Sequence, residues 1–139
     1  MTSLIGRPSI PGKSITLRLS DLSLEIVTKG SQIQAEKNER APSMAAWLRE
    51  LIEFIFSGRD LEETLTRAML DEYWPTPWKE IATPHRATVR LQEHHLLLLR
   101  QFEFHLQSLD WQRESKRNEA AMVLIEAHGP VFNRALSFL

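Results

Sequence analysis

A short stretch near the N-terminus alternates strictly between polar and apolar residues. Its six residues are Ser14, Ile15, Thr16, Leu17, Arg18 and Leu19. Successive side chains of a strand point to opposite faces, so the pattern predicts a β-strand with one buried face. No second stretch of comparable alternation follows, and an unpaired strand exposes backbone hydrogen-bonding groups. We therefore expect this strand to pair antiparallel with the same strand of a second copy, which predicts a homodimer.

The composition is that of an ordinary globular protein. The chain has 139 residues, of which 42% are hydrophobic and 25% charged. It has no cysteine, which excludes disulfides and thiol catalysis and fits a reducing compartment. No apolar run approaches the length of a membrane span, and the N-terminus lacks the apolar core of a signal peptide. We expect a cytoplasmic protein that does not contact a membrane.

The charge is close to balanced, with a formal net charge of −1. Residues 1–42 carry six basic and four acidic residues, whereas the remainder carries eleven basic and fourteen acidic ones. This mild asymmetry permits a local surface that faces nucleic acid.

Two helices are predicted after the strand. Ser20 or Asp21 can cap the first, which ends at Gly30 or continues to about Glu36. Ser43 is a good N-cap for the second helix, which ends near residues 57–58. Its apolar stripe at helical spacing consists of Met44, Leu48, Leu51, Ile52 and Ile55. Trp47 and Phe54 lie off this stripe, and we expect them to pack against the C-terminal helices.

The rest of the chain is predicted to be helical. Helices are expected at residues 60–73, at about 84–113, at 115–128 and at 131–139, with a rigid Trp-Pro-Thr-Pro-Trp turn at residues 74–78. Gly129-Pro130 is expected to separate the last two helices. No internal repeat is evident. We predict a flexible arm at 1–13, a DNA-binding and dimerisation domain at 14–57, and a helical oligomerisation or partner-binding domain at 58–139.

The order strand, helix, loop, helix resembles the ribbon-helix-helix family of DNA-binding proteins, the Arc, MetJ and CopG type. The resemblance is carried by the strand, residues 15–20, and by Ser-Met-Ala-Ala-Trp-Leu-Arg-Glu-Leu-Ile at residues 43–52. It covers about a third of the chain. It implies a mainly α fold in which an intermolecular two-stranded ribbon enters the major groove. The loop departs from the family pattern, because Gly30 lies well before it.

The resemblance assigns roles to individual residues. The polar face of the ribbon, Ser14, Thr16 and Arg18, would point at base edges, with Arg18 suited to guanine. The start of the second helix, Ser43 and Met44, would bind a phosphate, and Lys13 would contact the DNA from the arm. The dimer core would consist of Ile15, Leu17, Leu19, Leu48, Leu51, Ile52 and Ile55.

Other kinds of chemistry lack support in the sequence. The five histidines show no ligand spacing, and His94 and His95 are adjacent and so are expected to point in different directions. No phosphate-binding glycine loop or nucleophile elbow is present. We therefore predict no enzyme, no metal and no cofactor. A transcriptional repressor is favoured, a plasmid mobilisation (relaxosome) or partition accessory protein shares the same ribbon chemistry, and a helical adaptor or antitoxin-like inhibitor is the alternative from another class.

Overall fold

The computed structural model describes residues 12–57, 72, 81–108 and 117–138. In chain order the elements are β1 (Lys13–Leu19), α1 (Asp21–Lys37), α2 (Met44–Phe56), β2 (His85–Leu91), α3 (Glu93–Ser108) and α4 (Arg117–Phe138). The predicted fold class is confirmed in its main features, because the protein is mainly helical with a small two-stranded antiparallel sheet. None of the helices in the described part of the chain combines the length and hydrophobicity of a membrane span.

The partner of β1 is a strand of the same chain, which corrects the predicted intermolecular pairing. β1 pairs antiparallel with β2 over its whole length, with Thr16 opposite Thr88 at the centre. The apolar side chains of both strands face the helices, and the polar residues that alternate with them, Ser14, Thr16 and Arg18 in β1 and Arg86, Thr88 and Arg90 in β2, face outward. The argument for a homodimer assumed that β1 has no intrachain partner, so that argument is removed.

The prediction of one helix from about residue 84 to residue 113 was wrong for its first residues. Residues 85–91 form β2, and the helix begins only at Glu93. Ala87, Val89 and Leu91 alternate with exposed polar residues, so this segment has the same period of two as β1. Pro84 had indicated a helix start, but here it precedes a strand.

The other predicted helices agree in part. Ser20 and Ser43 cap α1 and α2 as predicted, and each hydroxyl accepts a hydrogen bond from the amide three residues later. α1 continues through Gly30 to Lys37. The predicted break at Gly129-Pro130 was wrong, because α4 is continuous with Pro130 inside it. The helix predicted at 60–73, the turn at 74–78 and the arm up to residue 11 lie outside the described residues.

The chain contains an internal repeat that sequence inspection missed. β1, the residue after it and the start of α1 correspond to β2, Gln92 and the start of α3 at a constant offset of 72 residues. Each junction closes with the same first helical hydrogen bond, Leu24 N–H to Ser20 O and Leu96 N–H to Gln92 O. The buried residues of α3 are His95, Leu99, Phe102 and Leu106, and each corresponds to a buried residue of α1, namely Ser23, Val27, Gly30 and Gln34.

The second helices continue the correspondence. α4 begins 73 residues after α2, and Leu-Ile-Glu occurs at the same place in both, at residues 51–53 and 124–126. The described part of the chain therefore contains two strand–helix–helix units, unit 1 at residues 13–56 and unit 2 at residues 85–138. The antiparallel strand pairing relates the units by a local two-fold axis that passes between Thr16 and Thr88.

Both units share one hydrophobic core. The side chains predicted to form the dimer core are Ile15, Leu17, Leu19, Leu48, Leu51, Ile52 and Ile55, and all seven are buried in this single-chain core. They pack with residues of β2, α3 and α4, such as Val89, Leu99 and Leu124. Described residues on both sides of the predicted domain boundary at 57 thus belong to the same sheet and the same core.

Trp47 of α2 lies where α1, α2 and α4 meet. Its predicted packing against the C-terminal helices is confirmed. It is fully buried, and its Nε1 donates to Asn133 Oδ1 at 2.8 Å. Asn133 Nδ2 in turn donates to the Ile26 carbonyl at 3.1 Å, and the Phe132 ring lies 5.8 Å from the Trp47 ring between centroids. Phe54 also contacts the Phe132 ring, at 5.2 Å between centroids, although it is 41% exposed.

Candidate nucleic-acid interface

The outward face of the two-stranded sheet is polar and positively charged. We call it the ribbon face, and it consists of Ser14, Thr16, Arg18, Arg86, Thr88 and Arg90, all exposed. None of the six is acidic. Alternation puts them all on the side away from the core, because the residues between them are those that pack against the helices.

The register brings like residues together across the strands. Thr16 and Thr88 are directly opposite, with their Oγ1 atoms 3.4 Å apart. Arg18 lies opposite Arg86, and Ser14 lies opposite Arg90. Two like charges directly opposite each other on one face of a sheet destabilise it. Within the described part of the chain, neither the Arg18 nor the Arg86 guanidinium has an ion-pair partner, so an anion placed between them would relieve this repulsion.

Each outer edge of the sheet is bonded, at one residue, by a side chain from the second helix of the opposite unit. At β1, the Arg18 amide donates to Asn118 Oδ1 at 2.6 Å, and Asn118 Nδ2 donates to the Arg18 carbonyl at 3.1 Å. At β2, Arg49 Nη1 donates to the Arg90 carbonyl at 2.7 Å. Arg18 and Arg90 are equivalent residues of the two units, so both edges are closed at the same place. Such contacts keep a further strand from adding there.

The remaining predicted DNA contacts do not belong to the ribbon face. Lys13 is exposed at the first residue of β1, but the alternation places it on the same side as Ile15 rather than Ser14. The Ser43 hydroxyl is occupied in capping α2, since it accepts from the Ala46 amide at 3.1 Å. Met44 is partly buried against the core. A phosphate contact at the start of α2 stays a prediction.

Half of the ribbon face was missed by sequence reasoning, because Arg86, Thr88 and Arg90 were assigned to a helix. A signal for them existed. The motif Thr-x-Arg-Leu occurs twice in the sequence, at residues 16–19 and at residues 88–91. The two copies are 72 residues apart.

A second polar group lies where β2 joins α3. The Nε2 atoms of His94 and His95 lie 3.4 and 3.0 Å from Glu53 Oε1, and the two rings are 3.8 Å apart between centroids. The prediction that these adjacent histidines point in different directions was therefore wrong. Glu53, His94 and His95 are the group of potential metal-ligand residues found in the described part of the chain, and their candidate ligand atoms all lie within 4.8 Å of one another.

The contacts of Glu126 indicate the role of the cluster formed by Glu53, His94 and His95. Glu126 is the equivalent of Glu53, and it accepts from the Ser23 hydroxyl at 2.6 Å and from the Ser20 hydroxyl at 3.1 Å. Ser23 and His95 are equivalent buried residues of α1 and α3. In each unit a glutamate of the second helix thus satisfies a buried polar side chain in the first turn of the opposite unit's first helix. This shared arrangement accounts for the Glu53 cluster as a structural contact between the units.

Burial determines the protonation of this cluster. It lowers the pKa of His95, which is 1% exposed, and the hydrogen bond that His95 Nε2 donates to Glu53 opposes that effect only in part. The hydrogen bond that the Glu53 carboxylate accepts from His95 lowers the pKa of Glu53. His95 Nδ1 is buried and has no hydrogen-bond partner among the described residues. The folded protein therefore favours a neutral His95 beside an ionised Glu53.

The chain matches no protein-family model, and it is similar to no curated protein and no solved structure. The resemblance to ribbon-helix-helix proteins therefore rests on residues 15–20 and 43–52 of the sequence.

Proposed function

We propose that this protein binds double-stranded DNA by inserting the ribbon face into the major groove. One observation carries the proposal: three arginines, two threonines and a serine share one exposed face, with two of the arginines directly opposite each other. A two-stranded antiparallel ribbon has the width that the major groove admits. The two strand–helix–helix units around it reproduce, within one chain, the architecture that the ribbon-helix-helix resemblance implies for a dimer.

The side chains of the ribbon face suit base recognition. Arginine can donate two hydrogen bonds to O6 and N7 of guanine. Threonine offers a hydroxyl to bases and a methyl group that can contact the thymine methyl. The central Thr16–Thr88 pair would lie over the middle of the bound site, and the arginines would reach bases on either side of it.

Electrostatics makes the ribbon face the main source of attraction for DNA. With a net charge of −1, the whole protein has no overall attraction for a polyanion. Local positive charge must therefore provide the salt-dependent part of binding, in which phosphates exchange their counterions for arginine and lysine side chains. Because few such side chains are involved, we expect a shallow dependence of affinity on salt concentration.

The test compares arginines on the ribbon face with an arginine elsewhere. Arg18→Ala and Arg86→Ala should each weaken binding to a selected DNA site by about 1–3 kcal/mol, as expected for loss of a bidentate base contact. Arg134→Ala is the matched control, because Arg134 is exposed on α4 about 24 Å along the helix from Asn118. All three side chains lie outside the core, so circular dichroism should show unchanged folding. Unchanged DNA affinity in both ribbon variants would refute the proposal.

The cellular role follows from which DNA is bound. A promoter site indicates a transcriptional repressor, whereas a transfer origin or partition site indicates a plasmid mobilisation or partition accessory protein. Mapping the sites occupied in cells distinguishes them. If the full chain binds no double-stranded DNA of any sequence, the adaptor or antitoxin-like inhibitor becomes the favoured function.

A further inference from the structure

The two ends of the ribbon face carry different side chains. The local two-fold axis relates each residue of β1 to the residue of β2 that lies 72 positions later. Thr16 corresponds to Thr88 and Arg18 to Arg90, so these positions are chemically symmetric. Ser14 corresponds to Arg86, and here the symmetry is broken.

Because of the strand register, the difference between Ser14 and Arg86 makes the two ends of the ribbon face chemically different. One end presents Arg18 together with Arg86, and the other presents Arg90 together with Ser14. Each end lies two residues from the central threonines, so the ends are about 13 Å apart at 3.3–3.4 Å per residue. This separation corresponds to about four base pairs at 3.4 Å each. The two ends therefore face different base pairs of one site.

We propose that a single chain reads a non-palindromic DNA site, and that Arg86 and Ser14 set its direction on the DNA. The inference rests on the DNA binding proposed above. A ribbon made from two copies of β1 would present identical ends and would select a palindrome. Here the end with two arginines favours guanines, whereas the end with Ser14 accepts several bases because a hydroxyl can both donate and accept.

The closed edges of the sheet support reading by one chain. Asn118 bonds the Arg18 amide and carbonyl on β1, and Arg49 bonds the Arg90 carbonyl on β2, so a strand from another copy could not pair at these residues without displacing them. The ribbon is thus complete within one chain, and it needs no second copy to present both ends to the groove.

The test is selection of bound sequences from a random double-stranded DNA pool by the full-length protein, followed by native mass spectrometry of the selected complex. We expect a non-palindromic motif with guanines concentrated in one half, and one chain per duplex. Ser14→Arg should make both ends carry two arginines, and Arg86→Ser should make both ends carry one. Each variant should therefore select a more nearly palindromic motif, with the wild-type preference for one orientation reduced about tenfold.

The controls separate this inference from the proposed function. Both substitutions are at exposed positions, and thermal unfolding verifies that the variants fold. Arg134→Ala should select the wild-type motif. A palindromic wild-type motif, two chains per site, an unchanged motif in Ser14→Arg, or binding without sequence enrichment would overturn the directional reading and leave DNA binding intact. Failure of the wild-type chain to retain any DNA would overturn the proposed function and this inference with it.

Discussion

Thr16 and Thr88 face each other at the centre of the sheet, with their hydroxyl oxygens 3.4 Å apart. They are 72 residues apart in sequence, and each is the middle residue of a seven-residue strand. Their juxtaposition marks the axis about which two similar units of one chain pack together.

The protein should be a monomer in solution. Because β1 finds its partner in β2 and the apolar faces of both strands are buried within one chain, we expect a monomer of about 16 kDa at micromolar concentration. Light scattering coupled to size-exclusion chromatography measures this directly. A dimer that persists on dilution would contradict it.

Gly30 should not tolerate a side chain. A Cβ atom there would lie 2.0 Å from Trp47 Nε1 and 2.2 Å from Asn133 Oδ1, which is closer than atoms can approach. Gly30→Ala should therefore lower the free energy of unfolding by about 1–3 kcal/mol through overpacking, despite the better helix propensity of alanine. Urea denaturation gives the value. Thr28→Ala, at an exposed position of the same helix, is the control and should change stability by less than about 0.5 kcal/mol. Equal effects of the two substitutions would contradict the tight packing at Gly30.

Asn118 should stabilise the outer edge of β1. Asn118→Ala removes two hydrogen bonds to the Arg18 backbone, and we expect a loss of about 1–2 kcal/mol together with faster amide hydrogen exchange at Arg18. Gln101→Ala, at an exposed position of α3, is the control. Unchanged exchange at Arg18 would show that Asn118 does not protect this edge.

His95 should make stability depend on pH. Burial holds the pKa of His95 below its usual value of 6.5, so the unfolded chain binds this proton more readily than the folded one. The contribution of His95 is therefore fully present above pH 6.5 and decreases as the pH falls below it. Each tenfold difference in proton affinity corresponds to about 1.4 kcal/mol.

The measurement compares urea unfolding at pH 7.5 and pH 5.5. His95→Gln should flatten the decrease between these pH values, and Gln101→Ala, a change at an exposed, non-titrating position of the same helix, should retain it. The pKa of Glu53 is also lowered, but from 4.5, so its contribution is lost only at more acidic pH. An identical pH dependence in wild type and His95→Gln would argue against a buried neutral histidine.

The sequence was most informative where one physical signal dominated. The alternation of β1 predicted its buried and exposed faces, and Ser20 and Ser43 capped their helices as expected. In β2, competing signals pointed to a helix: Pro84 suggested a helix start, and the leucines from Leu91 onward continue at helical spacing. Gly129-Pro130 similarly suggested a break, yet Gly129 instead allows Ile26 and Trp47 to approach α4 closely.

The contacts between the units could not be predicted from local pattern. The pairing of Glu53 with His95 and that of Glu126 with Ser23 join residues 42 and 103 positions apart, and the residue types at the two equivalent first-helix positions differ. The two pairs occupy equivalent positions of the two units. This equivalence can be recognised only when the two units are aligned at the correct offset.

Because the two units belong to one chain, substitutions can accumulate in each unit separately. In a homodimer, every substitution occurs twice and alters both halves of the assembly together. Here a substitution at Arg86 leaves Ser14 untouched, so each half can acquire its own side chains while the shared core is maintained. The divergence of Ser23 and His95 at equivalent buried positions shows that this freedom extends into the interior of the protein.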